Sequence, residues 1–417
     1  MTSQLPRAIL RSLFDAALAA AAPAVCVPPH LPAPPKGRTV VVGAGKAAAA
    51  MAAAVEAHWR GPLSGLVVTR YSHGVPCRSI EVIEAGHPLP DAAGRDAAQR
   101  VLKAVSGLTA DDLVLCLISG GGSALLVAPA SGVTLADKQA TTHALLMSGA
   151  TIAEINCVRK HLSAIKGGRL ALVARPARLL SLAISDVPGD DPATIASGPT
   201  VPDATTYADA RAVLAKYRIM APPSVAQHLA AASDETPKPG DPRLSHAEMR
   251  IIAKPADMLA AAARAAEQIG LRAVVLGDAL QGEARELGRA HAAIARREPG
   301  PGVILSGGET TVTVGADHGE GGRNGEYALA LALALDGDPR VHAMACDTDG
   351  IDGTGRAAGA IVTPDTLARA RAAGRDPAAA LAGHDSHGLF GAIGDLVTIG
   401  PTLTNVNDFR AILVSMR

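Results

Sequence analysis

Seven short runs in this chain combine glycine with charged or hydroxylated residues in patterns that can do chemistry. Gly43-Ala44-Gly45-Lys46 follows an apolar, β-branched run, and Ser119-Gly120-Gly121-Gly122-Ser123 follows another. Glycine turns after a strand let an anion approach backbone N–H groups, and Lys46 adds a point charge. The first run also fits a weak G-x-G-x-x-A dinucleotide fingerprint, or a plain strand-to-helix turn. Its usual acidic partner about 20 residues on is missing, and the next strand ends in Arg70. The second run is no Walker A loop and no nucleophile elbow. It is a phosphate cradle or a turn that permits close helix packing.

Arg159, Lys160, Lys166 and Arg169 lie around an apolar helical face of Val158, Leu162 and Ile165. Such a basic group is either a solvated face or a grip for phosphate or a small acid. Asp186, Asp190 and Asp191 follow a strand, where open α/β sheets bind ligands; Mg²⁺ or ordinary turn chemistry would account for them. Asp347, Asp349 and Asp352 imitate a calcium loop, but its twelfth position is Ala358, so the bidentate acid is absent; the cluster suits Mg²⁺ or a polyol, or is turn chemistry. Arg323-Asn324 opens a helix after glycines, suited to an anion or simply solvated. Thr402 and Asn405 lie in a polar turn that suits either a nucleotide contact or capping. His87, His161, His384 and His387 have no nucleophile at a recognised spacing and are read as structural.

The elements that position these runs alternate strand and helix. Strands are expected at Thr39–Val42, Leu66–Thr69, Leu113–Ile118 and Leu179–Ser185, with Asp91 capping a helix. Unbroken apolar strands separated by helices imply a parallel sheet covered on both faces. A Pro-rich polar stretch over 221–246 reads as a linker. The pattern resumes with strands at Arg250–Ala253, Ala273–Leu276, Val303–Leu305 and Val341–Ala345, and Ser306-Gly307-Gly308-Glu309-Thr310 reads as a second glycine loop. Two α/β domains of unequal size follow, over 1–245 and 246–417.

The 417 residues carry 39 basic and 39 acidic side chains, and aromatics are 2%. A neutral, aromatic-poor chain lacks the basic footprint and the stacking platforms that nucleic acid requires. Five scattered cysteines without a C-x-x-C pair argue against a disulfide framework or structural zinc and for a reduced, cytoplasmic setting. Ile9, Leu10, Leu13, Phe14 and Ala17 share one helical face, which reads as a docking helix and not a signal peptide. No uncharged apolar run reaches the ~18 residues of a membrane span.

Taken in order, these runs resemble the class II glycerate 2-kinases, whose C-terminal half is the MOFRL domain and whose members often carry the label hydroxypyruvate reductase. Gly86-His-Pro-Leu-Pro-Asp91, Val158–Arg169, Ser185–Asp191, Leu305–Thr310 and Gly322–Glu326 extend the match over roughly residues 5 to 415. The resemblance implies ATP- and Mg²⁺-dependent phosphorylation of D-glycerate to 2-phosphoglycerate. It also implies a doubly wound, Rossmann-like larger domain, a smaller α/β domain and a site in the cleft between them.

By the same resemblance Lys46 and Arg323 are catalytic. Asp186 is assigned as base or metal ligand, with Asp347 and Asp349 as further metal ligands. Gly43, Gly45, Ser119, Gly120, Gly121, Gly122, Ser123, Gly307, Gly308, Thr402 and Asn405 are assigned to the nucleotide. Arg159, Lys160, Glu309 and Asn324 are assigned to glycerate. The expected partners are the two small substrates, without nucleic acid or membrane; a homodimer is one alternative for the assembly. An NAD(P)H-dependent hydroxypyruvate reductase and a non-enzymatic sugar-acid binding protein are the rival readings.

Overall fold

A computed structural model describes residues 4–315 and 318–416. They divide into two compact units: Pro23–Ile252, and Met1–Ala22 with Ala253–Arg417.

The first unit is built on β1 (Thr39–Ala44), β2 (Ser64–Arg70), β3 (Glu81–Ala85), β4 (Leu113–Ile118), β5 (Arg178–Ile184) and β6 (Ala247–Ala253), in the order β3-β2-β1-β4-β5-β6. The pairs β3–β2, β2–β1, β1–β4 and β4–β5 are parallel. β1 and β4 are buried along their whole length, as strands covered on both faces must be. Val40, Val42, Val114 and Cys116 pack with Val101 and Val105 of the helix Ala92–Val105. Asp91 caps that helix by accepting from the Gly94 N–H at 2.9 Å, as its position predicts. This strand order reverses direction between β1 and β4, where such sheets leave a crevice at their carboxyl ends. Helices over Leu135–Met147, Ile152–His161, Tyr207–Lys216 and Pro223–Ala231 form a satellite core around Leu145, Val158, Tyr207 and Leu229.

The division departs from the expected boundary. β6 completes the first sheet instead of opening the second unit, and the supposed linker holds the helix Pro223–Ala231 and a 3₁₀ turn over Pro242–Leu244. Proline at helix starts, not a tether, explains part of that composition.

The second unit holds β7 (Arg272–Glu283), β8 (Gly302–Thr311), β9 (Val341–Asp347), β10 (Gly359–Val362), β11 (Leu396–Val397) and β12 (Asp408–Val414), in the order β11-β10-β9-β12-β8-β7. Only β7–β8 is parallel; β8–β12, β12–β9, β9–β10 and β10–β11 are antiparallel. The helix Arg323–Leu335 covers it with Tyr327, Leu329 and Leu331 buried. The N-terminal helix Gln4–Ala20 belongs here too. It buries Leu10, Leu13, Phe14 and Ala17, and the Phe14 ring lies 5.4 Å from that of Phe409 on β12. No single helix among the described residues is long and apolar enough to cross a membrane.

Candidate functional site

In the N-terminal unit, two glycine loops press together at the carboxyl ends of β1 and β4. Gly45 has φ +144°, and a Cβ there would collide with Ser119; one on Gly43 would collide with the Leu117 carbonyl. Glycine is therefore required by protein packing. The amides of the first turn are also spent internally. Gly45 N–H donates to the Val68 carbonyl (3.0 Å), Lys46 N–H to that of Gly120 (2.8 Å) and Ala47 N–H to Ser119 Oγ (2.9 Å). Gly43 and Gly45, expected to line a phosphate, thus shape the turn and leave the Lys46 side chain as its chemical group.

The second loop keeps its donors. Gly120 and Gly121 N–H find no acceptor among the described residues. Gly121 has φ +79°, and a Cβ on it would meet the His87 ring at 2.9 Å and Lys46 Cγ at 3.4 Å, so His87, Lys46 and this loop converge. Ser123 Oγ lies 2.7 Å from Ser197 Oγ, which donates to Asn156 Oδ1 at 3.1 Å. Ala196 (φ 50°) and Ser197 (φ 61°) are held in the left-handed region, a strain that persists only where surroundings impose it. Asp186, half-buried, lies two residues past the carboxyl end of β5.

Behind this loop sits a group of cations. Lys166, fully buried, donates to the Ser123 carbonyl at 2.8 Å. Lys138 donates to the carbonyls of Arg159 (3.0 Å) and Leu162 (2.7 Å). Burial pushes both ammonium pKa values well below their ordinary range, and Arg159 beside them adds to it. Arg159 is half-buried and makes no ion pair among the described residues. Lys160 differs: it is buried against Asp203 at 3.3 Å, a structural pair, so it is not open to a substrate carboxylate. His161, within 2.9 Å of Glu235, is structural as expected.

The C-terminal unit centres on Arg323. Its Nε donates to Asp408 Oδ1 (2.8 Å), Nη2 to Asp347 Oδ2 (2.9 Å) and Nη1 to Glu309 Oε1 (3.0 Å). The sheet register makes this possible, because Asp408 pairs with Asp347 across β12–β9 and with Gly308 across β12–β8. Burial opposes the Arg323 charge, but Asp408, Asp347 and Glu309 outweigh it and raise its pKa. Asp408, fully buried, also accepts from Asn324 Nδ2 (2.8 Å) and from Arg410. Asp352 accepts from the N–H groups of Asn324 (3.0 Å) and Gly325 (2.8 Å), fixing the start of the helix. Burial pushes its carboxyl up to about 6, with the Asp408 charge adding and the two N–H bonds opposing. A cavity of about 490 Å³ opens here, lined by Arg323, Asp347, Thr310, Gly322, Glu326 and His384.

Four sets of assigned residues in this unit are engaged within the chain. Gly307 and Gly308 lie inside β8, not in a loop; Gly308 has φ +114°, and the Leu280 backbone fills the space a Cβ would take. Thr402 N–H donates to the Asp349 carbonyl (3.1 Å), and Asn405 Oδ1 accepts from Asn407 N–H (3.2 Å). Thr402 therefore braces the Asp347–Gly353 turn, and Asn405 braces its own. Asp347 gives Oδ2 to Arg323 and Oδ1 to the Asp349 N–H, and Asp349 Oδ1 accepts from Ile351 N–H. Asn324 and Glu309 are bound to Asp408 and Arg323. Asp408, Asp352 and Arg410 had no role assigned from sequence. Asp408 sits at the end of a turn that sequence singled out, but only strand register shows what it faces.

No group of three or more His, Cys, Asp or Glu with metal-holding geometry occurs among the described residues. A divalent cation would take one or two carboxylates here and draw its remaining ligands from phosphates and water, as Mg²⁺ commonly does. Asp347 already accepts bonds within the unit at both oxygens.

Comparison with known proteins agrees with this architecture. The profile of a domain of unknown function, DUF4147, matches residues 9–230, and that of the MOFRL family matches 302–408. A protein of Agrobacterium vitis under the provisional label hydroxypyruvate reductase is 58% identical, covering 98% of this chain and 94% of its own. The D-glycerate 2-kinase of Thermotoga maritima is 43% identical over 89% of each chain. The crystal structure of a glycerate kinase from that organism superposes with a TM-score of 0.90 at 40% identity, covering 99% of this chain and all of the other. Profile, identity and fold agree: the chain belongs to the MOFRL-containing glycerate 2-kinase family of kinases.

Proposed function

We propose that the protein transfers the γ-phosphoryl group of ATP to the 2-hydroxyl of D-glycerate, giving 2-phosphoglycerate and ADP. The observation that carries this reading is Lys46, placed beside the donor-rich Ser119–Ser123 loop at the β1–β4 reversal point. Phosphoryl transfer asks a protein for positioning and charge stabilisation more than for covalent chemistry. The Gly120 and Gly121 N–H groups donate to phosphate oxygens, and Lys46 and Arg323 balance charge on the transferred group. Arg159 holds the glycerate carboxylate. The Asp186 carboxylate takes the proton of the 2-hydroxyl as its oxygen attacks phosphorus and ADP leaves. Mg²⁺, held through Asp186 and the phosphates, would neutralise phosphate charge.

The reductase reading finds less support. A dinucleotide loop needs open space over its glycines, and here Ser119 occupies the space over Gly45. β2 ends in Arg70 where a ribose-binding acid would stand. Four buried thiols and one half-buried one, none of them in a disulfide among the described residues, fit a reducing compartment, and we place the enzyme in the cytoplasm.

The test is a product assay with ATP, Mg²⁺ and D-glycerate, coupled to enolase without phosphoglycerate mutase. Phosphoenolpyruvate formation is expected. No product there, together with hydroxypyruvate-dependent NAD(P)H oxidation in parallel, would overturn the proposal.

A further inference from the structure

The N-terminal unit holds a second cavity, of about 470 Å³, and none of its lining residues belongs to the loops carrying Lys46 and Ser119. Its walls come from Ala130–Gly132, from Ser163, Ala164 and Arg169, and from residues between Ser224 and Asp234. That volume is in the range of small-molecule sites.

Arg169 makes the cavity more than a packing gap. Only 8% of its side chain is exposed. Nη2 donates to Tyr207 Oη at 3.4 Å and to the Asp234 carbonyl. Nη1 is buried and has no partner among the described residues. An idle N–H on a buried guanidinium is costly, and native proteins normally supply an acceptor. Among the described residues, the one carboxylate within ion-pair distance is Asp234, 3.4 Å away, whose own side chain is 75% exposed. Water screens so open a partner.

The surroundings add positive charge. Lys138 lies near enough to Arg169 for the two cations to oppose one another, and its ammonium rests on carbonyl oxygens alone. Two further acids nearby are engaged elsewhere: Asp137 accepts from Ser224 Oγ at 2.8 Å, and Glu235 accepts from the Tyr207 N–H at 3.1 Å. Ser131, Gln227 and Ser233 stand exposed on the walls without a side-chain bond among the described residues. Hydroxyl and amide groups around a buried guanidinium match an anion that also carries hydroxyls.

We infer that this cavity binds a small hydroxylated organic anion, a carboxylate or a phosphate ester, at a place separate from the groups assigned to phosphoryl transfer. Isothermal titration with inorganic phosphate and, separately, with malonate tests it on the full chain. The comparison uses wild type, Lys46→Ala, Arg169→Met and Ala231→Glu. Ala231 is an exposed wall residue at the end of its helix, so its substitution leaves the buried braces of Arg169 intact.

Binding of at least one anion is expected to survive in Lys46→Ala. It should weaken about tenfold or more in Ala231→Glu, through like-charge repulsion at the wall. Ala231→Lys should hold or tighten it. Which anion binds tells carboxylate from phosphate recognition. Equal affinity in wild type and Ala231→Glu would overturn the inference, as would failure of both anions to bind the Lys46→Ala protein. Should Arg169→Met not fold, the Ala231 pair decides alone.

Discussion

The two units hold their charged groups by opposite means. In the N-terminal unit the backbone does the holding. The Gly43–Lys46 and Ser119–Ser123 loops lock through main-chain bonds and missing side chains, and Lys46 rises from that frame. In the C-terminal unit side chains hold one another. Arg323 is gripped by Asp408, Asp347 and Glu309, and Asp408 is shared with Arg410 and Asn324. A backbone frame tolerates loss of the group it presents. A mutual network of buried charge does not, because removing one member leaves others unpaired.

The sharpest way to break that contrast is Arg323→Ala. We expect kcat to fall about 10³-fold or more, and Arg323→Lys to restore little, because one ammonium cannot match a planar fork among three carboxylates. The coupled assay reads both, and an unfolding curve should show the Ala variant destabilised. Lys46→Ala should cost about 10²–10³-fold in kcat and lower the unfolding midpoint less than Arg323→Ala does. If Lys46→Ala proved the more destabilising of the two, the contrast would fail.

Asp352 gives the contrast a pH axis. Its folded pKa, about 6, lies above the unfolded value of 3.8. A group raised in the fold stabilises fully below its unfolded pKa, and that gain is lost as pH rises through the folded one. Relative to Asp352→Asn, the wild-type protein should therefore gain about 2–3 kcal/mol between pH 7 and pH 4. Urea unfolding at stepped pH measures it, and parallel curves would disprove it.

Two smaller effects sharpen the N-terminal side. Arg159→Met should raise the KM for glycerate about tenfold, roughly one charge-assisted bond. Lys160→Met should leave KM alone and show only as lower stability. Ser119→Ala removes the acceptor for Ala47 N–H and should cost about 1 kcal/mol in unfolding free energy.

How much was legible follows the same division. The N-terminal loops are local: each strand runs straight into its glycine turn, so residue type and position are read together. Parallel topology then gathers every such turn at one end of the sheet. Arg323 and Asp347 were legible as charged residues near glycines, but their mutual contact was not. Asp408 reaches both through an antiparallel register between β8 and β9, and no spacing along the chain encodes that. Gly307 and Gly308 misled for a related reason. Glycine reads as a strand end, yet at Gly308 it admits the Leu280 backbone to a continuing strand.

The placement of β12 sets an order of assembly. It is an inner strand of its sheet, joining β9 on one side to β8 on the other, and it follows both in the chain. The helix Gln4–Ala20, which precedes all of them, packs on the same unit and places Phe14 against Phe409 of that strand. On the ribosome, the Phe14 face must therefore wait for β12 while all of Pro23–Ile252 is synthesised. A nascent chain cut short before Asp408 would leave Phe14 without its partner ring and the second sheet in two halves. For this unit, quality control waits on the synthesis of β12.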